Sequence, residues 1–308
     1  MGYKATPGKL ASIQSSFYNE YFCFDDVNIK TTKPIFIDTI KKNSTGFWNP
    51  WDSTGEDDVI VDDDYTTYRF NTADNRNRLI THLQDEYGRQ KLKQYNWLVD
   101  DKPVEIEYKV NRSGFRCNNF TDDPGIVFVG CSNTYGTGMH SHDIWPSLVS
   151  SYFNCESWNL GTPGMGLTMS TFYLTNWYED IPNPKAIVVL EPPPDRIELY
   201  HFKHEKFQVD ILKNLLDMYE TSPLVDRLYS GLPFTSAINY RLHIQSLKLL
   251  AKHWNVPIVT KTLFESANNL KTKPNPNADF ARDLMHFGKN VHVEIAEKMI
   301  EALKNEGL

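Results

Sequence analysis

The sequence predicts an α/β fold: a three-layer domain on a mostly parallel sheet of four or five strands, preceded by a smaller mixed, β-rich region. Two observations predict it. After residue 122 short unbroken apolar runs recur, the pattern of strands covered on both faces. Between them lie stretches with apolar residues at helical spacing, and strands alternating with helices build parallel sheets. The change of character divides the chain into 1–122 and 123–308.

The first of these regions is polar and aromatic. Residues 56–64 carry six acids in nine positions, without the glycine and terminal glutamate of an EF-hand loop, so a solvated acidic loop is expected. A helix is expected over 75–95, with Leu79, Ile80, Leu83 and Tyr87 on its apolar face. Residues 103–110 alternate strictly, with Val104, Ile106, Tyr108 and Val110 on one side and charges on the other, which predicts a half-buried strand. Trp48, Trp51, Tyr65 and Tyr68 could stack on sugar rings, although aromatics in small β-rich regions more often form core.

Past residue 122, Gly125–Gly130 reads as a buried strand. Residues 143–153 read as a helix with Asp143 near its cap and Pro146 in its first turn. Strands follow at 155–160, 185–190 and 256–260. A helix over 236–254 carries Ile238, Leu242, Leu247, Leu250, Ala251 and Trp254, and a last helix spans roughly 290–305.

Composition limits the function. The 308 residues carry a net charge of −7, which disfavours a phosphate-neutralising surface, so no nucleic-acid partner is expected. Apolar runs reach only about five residues, against about 18 for a membrane helix, so no membrane partner is expected either. Residues 1–7 contain no apolar signal region. Cys23, Cys117, Cys131 and Cys155 are scattered as reduced thiols would be, and a cytoplasmic setting is expected. His140-Ser141-His142 and His201-Phe202-Lys203-His204 lack a second ligand cluster, so no metal is expected.

Three segments could carry chemistry. Gly130-Cys131-Ser132-Asn133-Thr134-Tyr135-Gly136 places a serine just past a buried strand, where sites gather in parallel sheets. Asn159-Leu160-Gly161-Thr162-Pro163-Gly164 is a second glycine loop, able to aim backbone N–H groups at the same spot. Asp283-Leu284-Met285-His286 brings a carboxylate near one imidazole nitrogen, leaving the other outward as a base. Each alone has a bland structural explanation. Together, in this order, they resemble the SGNH (GDSL-like) hydrolase family over residues 123–308.

That resemblance implies a flavodoxin-like sheet and an O-acyl or O-acetyl esterase, with an ester or acylated carbohydrate as substrate and no cofactor or metal. Ser132 would be the nucleophile, His286 the base and Asp283 its orienter. The N–H groups of Ser132 and Gly164 would hold the oxyanion. Asn111-Arg112-Ser113-Gly114-Phe115-Arg116 resembles a segment often found just before the first block. Two positions depart from the pattern. The family's Asp before the serine is Cys131, and its Gly-x-Asn-Asp block is replaced by Glu191-Pro192-Pro193-Pro194-Asp195-Arg196-Ile197-Glu198. Arg196 is the substitute oxyanion donor that remains. Such divergent chains resemble those of tailed phages. A virion-associated setting and a second reading are therefore also expected: a weak or inactive SGNH-like structural or carbohydrate-binding protein of a phage particle.

Overall fold

The computed structural model describes residues 59–308 apart from 63, 72–73, 194–195, 202–205, 212–222 and 263–278. Cys23, Trp48, Trp51, His204 and the acids at 56–58 and 63 lie outside the described residues.

Four strands make the central sheet: β6 (Gly125–Gly130), β7 (Glu156–Asn159), β8 (Pro184–Glu191) and β11 (Ile258–Thr262). They lie in the order β11-β8-β6-β7, every pair parallel. β6 shows why these residues make a central strand. Ile126 and Phe128 face one side, Val127 and Val129 the other, and all are fully buried. Each face needs its own helical layer.

On one side lie α4 (Trp145–Tyr152) and α7 (Lys289–Asn305), burying Trp145, Val149, Ile295 and Met299 against Ile126, Phe128 and Val188. Trp145 meets Phe128 edge-on at 5.1 Å between centroids. Truncating such a buried indole costs about 3–5 kcal/mol. On the other side lie α5 (Leu167–Trp177) and α6 (Pro223–Trp254), with Leu174, Leu247 and Ala251 against Val127, Val129 and Ile187. The fold is therefore the expected three-layer α/β one with four parallel strands. An antiparallel pair, β9 (Arg196–His201) and β10 (Lys206–Ile211), follows β8.

The preceding region is mixed, as expected. β1 (Val59–Val61), β2 (Tyr65–Tyr68) and β5 (Tyr108–Asn111) form an antiparallel sheet. Two helices, α1 (Arg76–Gln84) and α2 (Glu86–Gln94), and the short pair β3 (Leu98–Val99) and β4 (Lys102–Pro103) complete it. Tyr68, Leu92, Ile106, Tyr108 and Val110 share one core with Tyr135, Met139, Ile144 and Ala281. Tyr68 is thus a core residue, 1% exposed.

Several expectations need correction. The helix over 75–95 breaks at Asp85, whose extended backbone ends α1 and whose side chain caps α2 by accepting the Gly88 N–H at 2.7 Å. Gly88 packs on α1 so closely that a Cβ there would lie 2.7 Å from the His82 carbonyl oxygen. The break turns Ile80 and Tyr87 outward. The strand over 103–110 shortens to β5, yet Ile106, Tyr108 and Val110 are buried and Glu105, Glu107 and Lys109 exposed, in the alternation expected. Asp143 lies in a 3-10 turn (Ser141–Asp143) and pairs with Lys289 at 2.7 Å instead of capping α4. On α6, Ile238 and Leu242 are exposed, while Leu247 and Ala251 carry the packing.

α4 is capped from another helix. The backbone N–H of Trp145 donates to His292 Nδ1 at 3.2 Å. Burial pushes the His292 imidazole from its usual 6.5 down to about 3, helped by the nearby His286 and Arg116 and opposed by Asp143. The unfolded chain takes up this proton below about pH 6.5 and the folded protein does not until about pH 3. The stability His292 preserves is therefore complete above pH 6.5 and is lost as pH falls through that window. At about 1.4 kcal/mol per pH unit, the loss reaches about 2 kcal/mol at pH 5. Urea unfolding at pH 5 and 7 should show that loss in the natural protein. It should be largely absent from His292→Asn, which keeps an acceptor for Trp145 but gains no proton. An equal loss in both proteins would contradict the assignment.

Candidate active site

In the order β11-β8-β6-β7, the chain leaves β6 first toward one edge and then returns past it to β8. The ends of β6 and β8 therefore open a crevice where their connections diverge, the usual ligand position of open parallel sheets. Ser132 stands there, two residues past the end of β6, as the first residue of the one-turn helix α3 (Ser132–Tyr135). The strand must bring α3 close. A Cβ at Gly130 would sit 2.2 Å from Thr134 Oγ1 and 2.7 Å from the Leu190 carbonyl oxygen. Cys131, between the strand and the serine, is buried and makes no capping hydrogen bond with its side chain.

The second glycine loop lies against the first, because β7 neighbours β6. Thr162 N–H donates to Gly130 O at 3.0 Å, and the Asn159 side chain donates to Thr134 O at 2.8 Å while accepting from Gly161 N–H at 2.9 Å. Gly161 presses so tightly that a Cβ would be 2.5 Å from Tyr135 N. Gly164 turns with φ of 77°, the left-handed region that favours glycine. Among the described residues, neither Ser132 N–H nor Gly164 N–H has a protein acceptor. Arg196 donates from Nη1 to Met165 O at 3.1 Å, so its guanidinium lies beside this loop.

Asp283 and His286 are brought together. The imidazole Nδ1 lies 2.5 Å from Asp283 Oδ2, and Oδ1 accepts the backbone N–H groups of Met285 and His286, each at 3.0 Å. The loop closes by the Ala281 N–H to His286 O bond at 3.0 Å. Asp283 is 1% exposed, so it is an interior carboxylate. Burial alone would raise its pKa, but the hydrogen bond and charge of His286 and the two backbone N–H groups outweigh it, and the net direction is down. A carboxylate held ionised against Nδ1 leaves Nε2 for other chemistry. His286 Nε2 and Ser132 Oγ share no hydrogen bond, although their loops are joined: Arg282 N–H donates to Gly138 O at 3.0 Å.

The Asn-x-x-Gly-Phe-Arg segment has a physical explanation. Asn111 Oδ1 accepts from Ser113 and Phe115 N–H, both at 3.0 Å, and Gly114 supplies φ of 88°. The turn drives Phe115 into the core, edge-on to Trp177, and sends Arg116 inward. The Arg116 guanidinium donates to the carbonyls of Tyr135, Gly136, Met139 and Glu107 at 2.6–3.2 Å. It thereby fixes the loop downstream of Ser132. Neither Arg116 nor His82, whose Nε2 lies 3.2 Å from Asp283 O, stood out as a supporting residue in the sequence. Their partners are backbone atoms, which carry no residue signature.

His140 and His142 stack on each other at 5.3 Å rather than converging on a common point. No helix among the described residues is long and apolar enough to cross a membrane.

No protein-family model matches this chain, and no curated protein does. Among solved structures, the chain is similar to a member of the lipolytic protein G-D-S-L family from Veillonella parvula DSM 2008. That likeness has 15% identity and a TM-score of 0.32, covering 59% of this chain and 98% of the other. It is also similar to a protein assigned to the lipolytic G-D-S-L family from Desulfitobacterium hafniense DCB-2. Here identity is 11% and the TM-score 0.30, over 58% of this chain and 99% of the other.

Proposed function

We propose that this protein is an ester hydrolase of the O-acyl or O-acetyl class, acting through Ser132, His286 and Asp283. The observation that carries the proposal is the buried Asp283 carboxylate hydrogen-bonded to His286 Nδ1, on a loop tied to the one that follows Ser132. In this reading Ser132 Oγ attacks the ester carbonyl as its proton passes to His286 Nε2. The carbonyl oxygen becomes an oxyanion, held by the N–H groups of Ser132 and Gly164. His286 then returns the proton to the departing alcohol, leaving an acyl-serine. Water, activated by the same imidazole, releases the acid and restores the serine. Arg196 is the proposed third donor, from the N–H groups it does not give to Met165.

An acylated carbohydrate is the proposed substrate. One observation favours a second reading, a weak or inactive SGNH-like structural or carbohydrate-binding protein. The segment after β8 offers Pro192 and Pro193, which have no N–H, where the family supplies a donor. A missing donor costs about a hundredfold or more in turnover.

Two measurements test the proposal. A fluorophosphonate probe should label the protein stoichiometrically. Labelling and ester hydrolysis should vanish in Ser132→Ala and largely persist in Cys131→Ala. No labelling of the natural protein would favour the second reading, and loss only in Cys131→Ala would make the thiol the nucleophile.

The Asp283–His286 pair gives the other. Asp283→Asn can keep both backbone hydrogen bonds through its amide oxygen, so the protein should fold. It should lose about a thousandfold or more in kcat, because the amide no longer selects the imidazole tautomer. Full activity in Asp283→Asn would remove this pair from the reaction.

A further inference from the structure

Two loops that carry the proposed chemistry are joined through a residue far from either in sequence. Asp74 is 1% exposed, on the segment between β2 and α1. Its carboxylate accepts from Arg282 Nε at 3.0 Å and Nη2 at 2.7 Å, a two-pronged ion pair closed to solvent. The same carboxylate accepts the Tyr108 hydroxyl proton. Tyr108 Oη in turn accepts Gly138 N–H at 2.8 Å, while Gly138 O accepts Arg282 N–H at 3.0 Å. The result is a closed ring: Asp74, Arg282, Gly138, Tyr108 and back to Asp74.

Each corner has a constrained identity. Gly138 has φ of 76°, and a Cβ there would lie 2.7 Å from Ala281 Cβ and 3.1 Å from Arg282 N. The hydroxyl of Tyr108 both donates and accepts, which phenylalanine cannot do. The guanidinium of Arg282 uses its remaining reach on the carbonyls of Val104 and Arg69, both at 2.9 Å. Arg282 is bonded in sequence to Asp283, and Gly138 closes the loop that begins at Ser132.

We infer that Asp74 is a positioning residue: through Arg282 and Tyr108 it holds the Asp283–His286 loop against the Ser132 loop and so sets where the imidazole stands. This rests on the esterase reading for its effect on rate, but the loop geometry can be read without it. The cation–carboxylate pair fixes the direction of Arg282, the peptide bond passes that direction to Asp283, and Asp283 orients His286. Breaking the ring at the far corner, Tyr108, touches no group of the proposed reaction.

Two variants test it: Tyr108→Phe removes one hydroxyl from an otherwise intact core, and Arg282→Lys keeps the charge but not the fork. Both are measured well below their unfolding temperatures, confirmed by circular dichroism. The first readout is the downfield proton resonance of the His286 Nδ1–Asp283 hydrogen bond, assigned by its loss in His286→Gln. The second is kcat and KM on p-nitrophenyl acetate. A shifted or exchange-broadened resonance, with kcat down tenfold or more and KM within about twofold, is the expected result. An unchanged resonance with unchanged kcat in both folded variants would overturn the inference and leave the esterase reading standing. If the natural protein hydrolyses no ester, that reading fails and the resonance alone decides: shifted in the variants supports positioning, unshifted overturns it. Loss of the folded state in both variants would assign the ring to stability alone and overturn the proposal.

Discussion

A guanidinium cannot lose its charge inside a protein, so a buried arginine must be surrounded by acceptors wherever it goes. Arg116 is 4% exposed, and no carboxylate touches it among the described residues. Its partners are four backbone carbonyls, with the Tyr108 and Tyr135 rings at 4.5 and 5.3 Å from the guanidinium carbon. Burial works against its charge and lowers its pKa, only partly offset by Tyr135, Tyr108 and Asp74. Those carbonyls belong to the end of α3, the following turn and the segment before β5. The loop after Ser132 therefore takes the shape that solvates this cation. Without those carbonyls in place the charge would stand uncompensated, which typically costs several kcal/mol.

The sheet sets where that loop must act. Because β6 has a parallel neighbour on each side, its C-terminal end is flanked by the ends of β7 and β8, and backbone groups from two loops can converge at one spot. The glycines make that convergence possible by close approach. Gly130 lets α3 fold back on the strand, and Gly161 lets the second loop touch Thr134 and Tyr135. Any side chain at either position would push the Ser132 and Gly164 N–H groups apart.

Strands buried on both faces announce themselves in sequence, because every residue must be apolar, and β6 and β8 were legible for that reason. So was the Asp283–His286 pair, whose spacing of three residues is local. Helix faces were less legible. Ile80, Tyr87, Ile238 and Leu242 continue an apolar period but are exposed, since periodicity says which residues share a face and not whether anything covers it. The break at Asp85 was written in the sequence as a capping acid followed three residues later by Gly88. An amphipathic pattern running through both hid it. The Asp74–Arg282 pair was invisible because 208 residues separate its members. An acid and an arginine that far apart carry no mark of their contact.

The position of these long-range contacts has a consequence for how the chain works as a unit. His82, Arg78, Asp74, Tyr108 and Arg116 all lie before residue 122, and all bond to residues 135–139 or 282–285. Two of those residues, Tyr108 and Arg116, are tied into the same loop that Ser132 begins, one by its hydroxyl and one by its charge. The apolar core follows the same line, since Tyr135, Met139, Ile144 and Ala281 complete the cluster built on Leu92, Ile106 and Tyr108. A buried charge on one segment whose acceptors sit largely on another is costly to leave without them. The segment from β2 to Arg116 packs its buried residues against both of these loops. It supplies the interior against which both loops at the ends of the parallel strands are set.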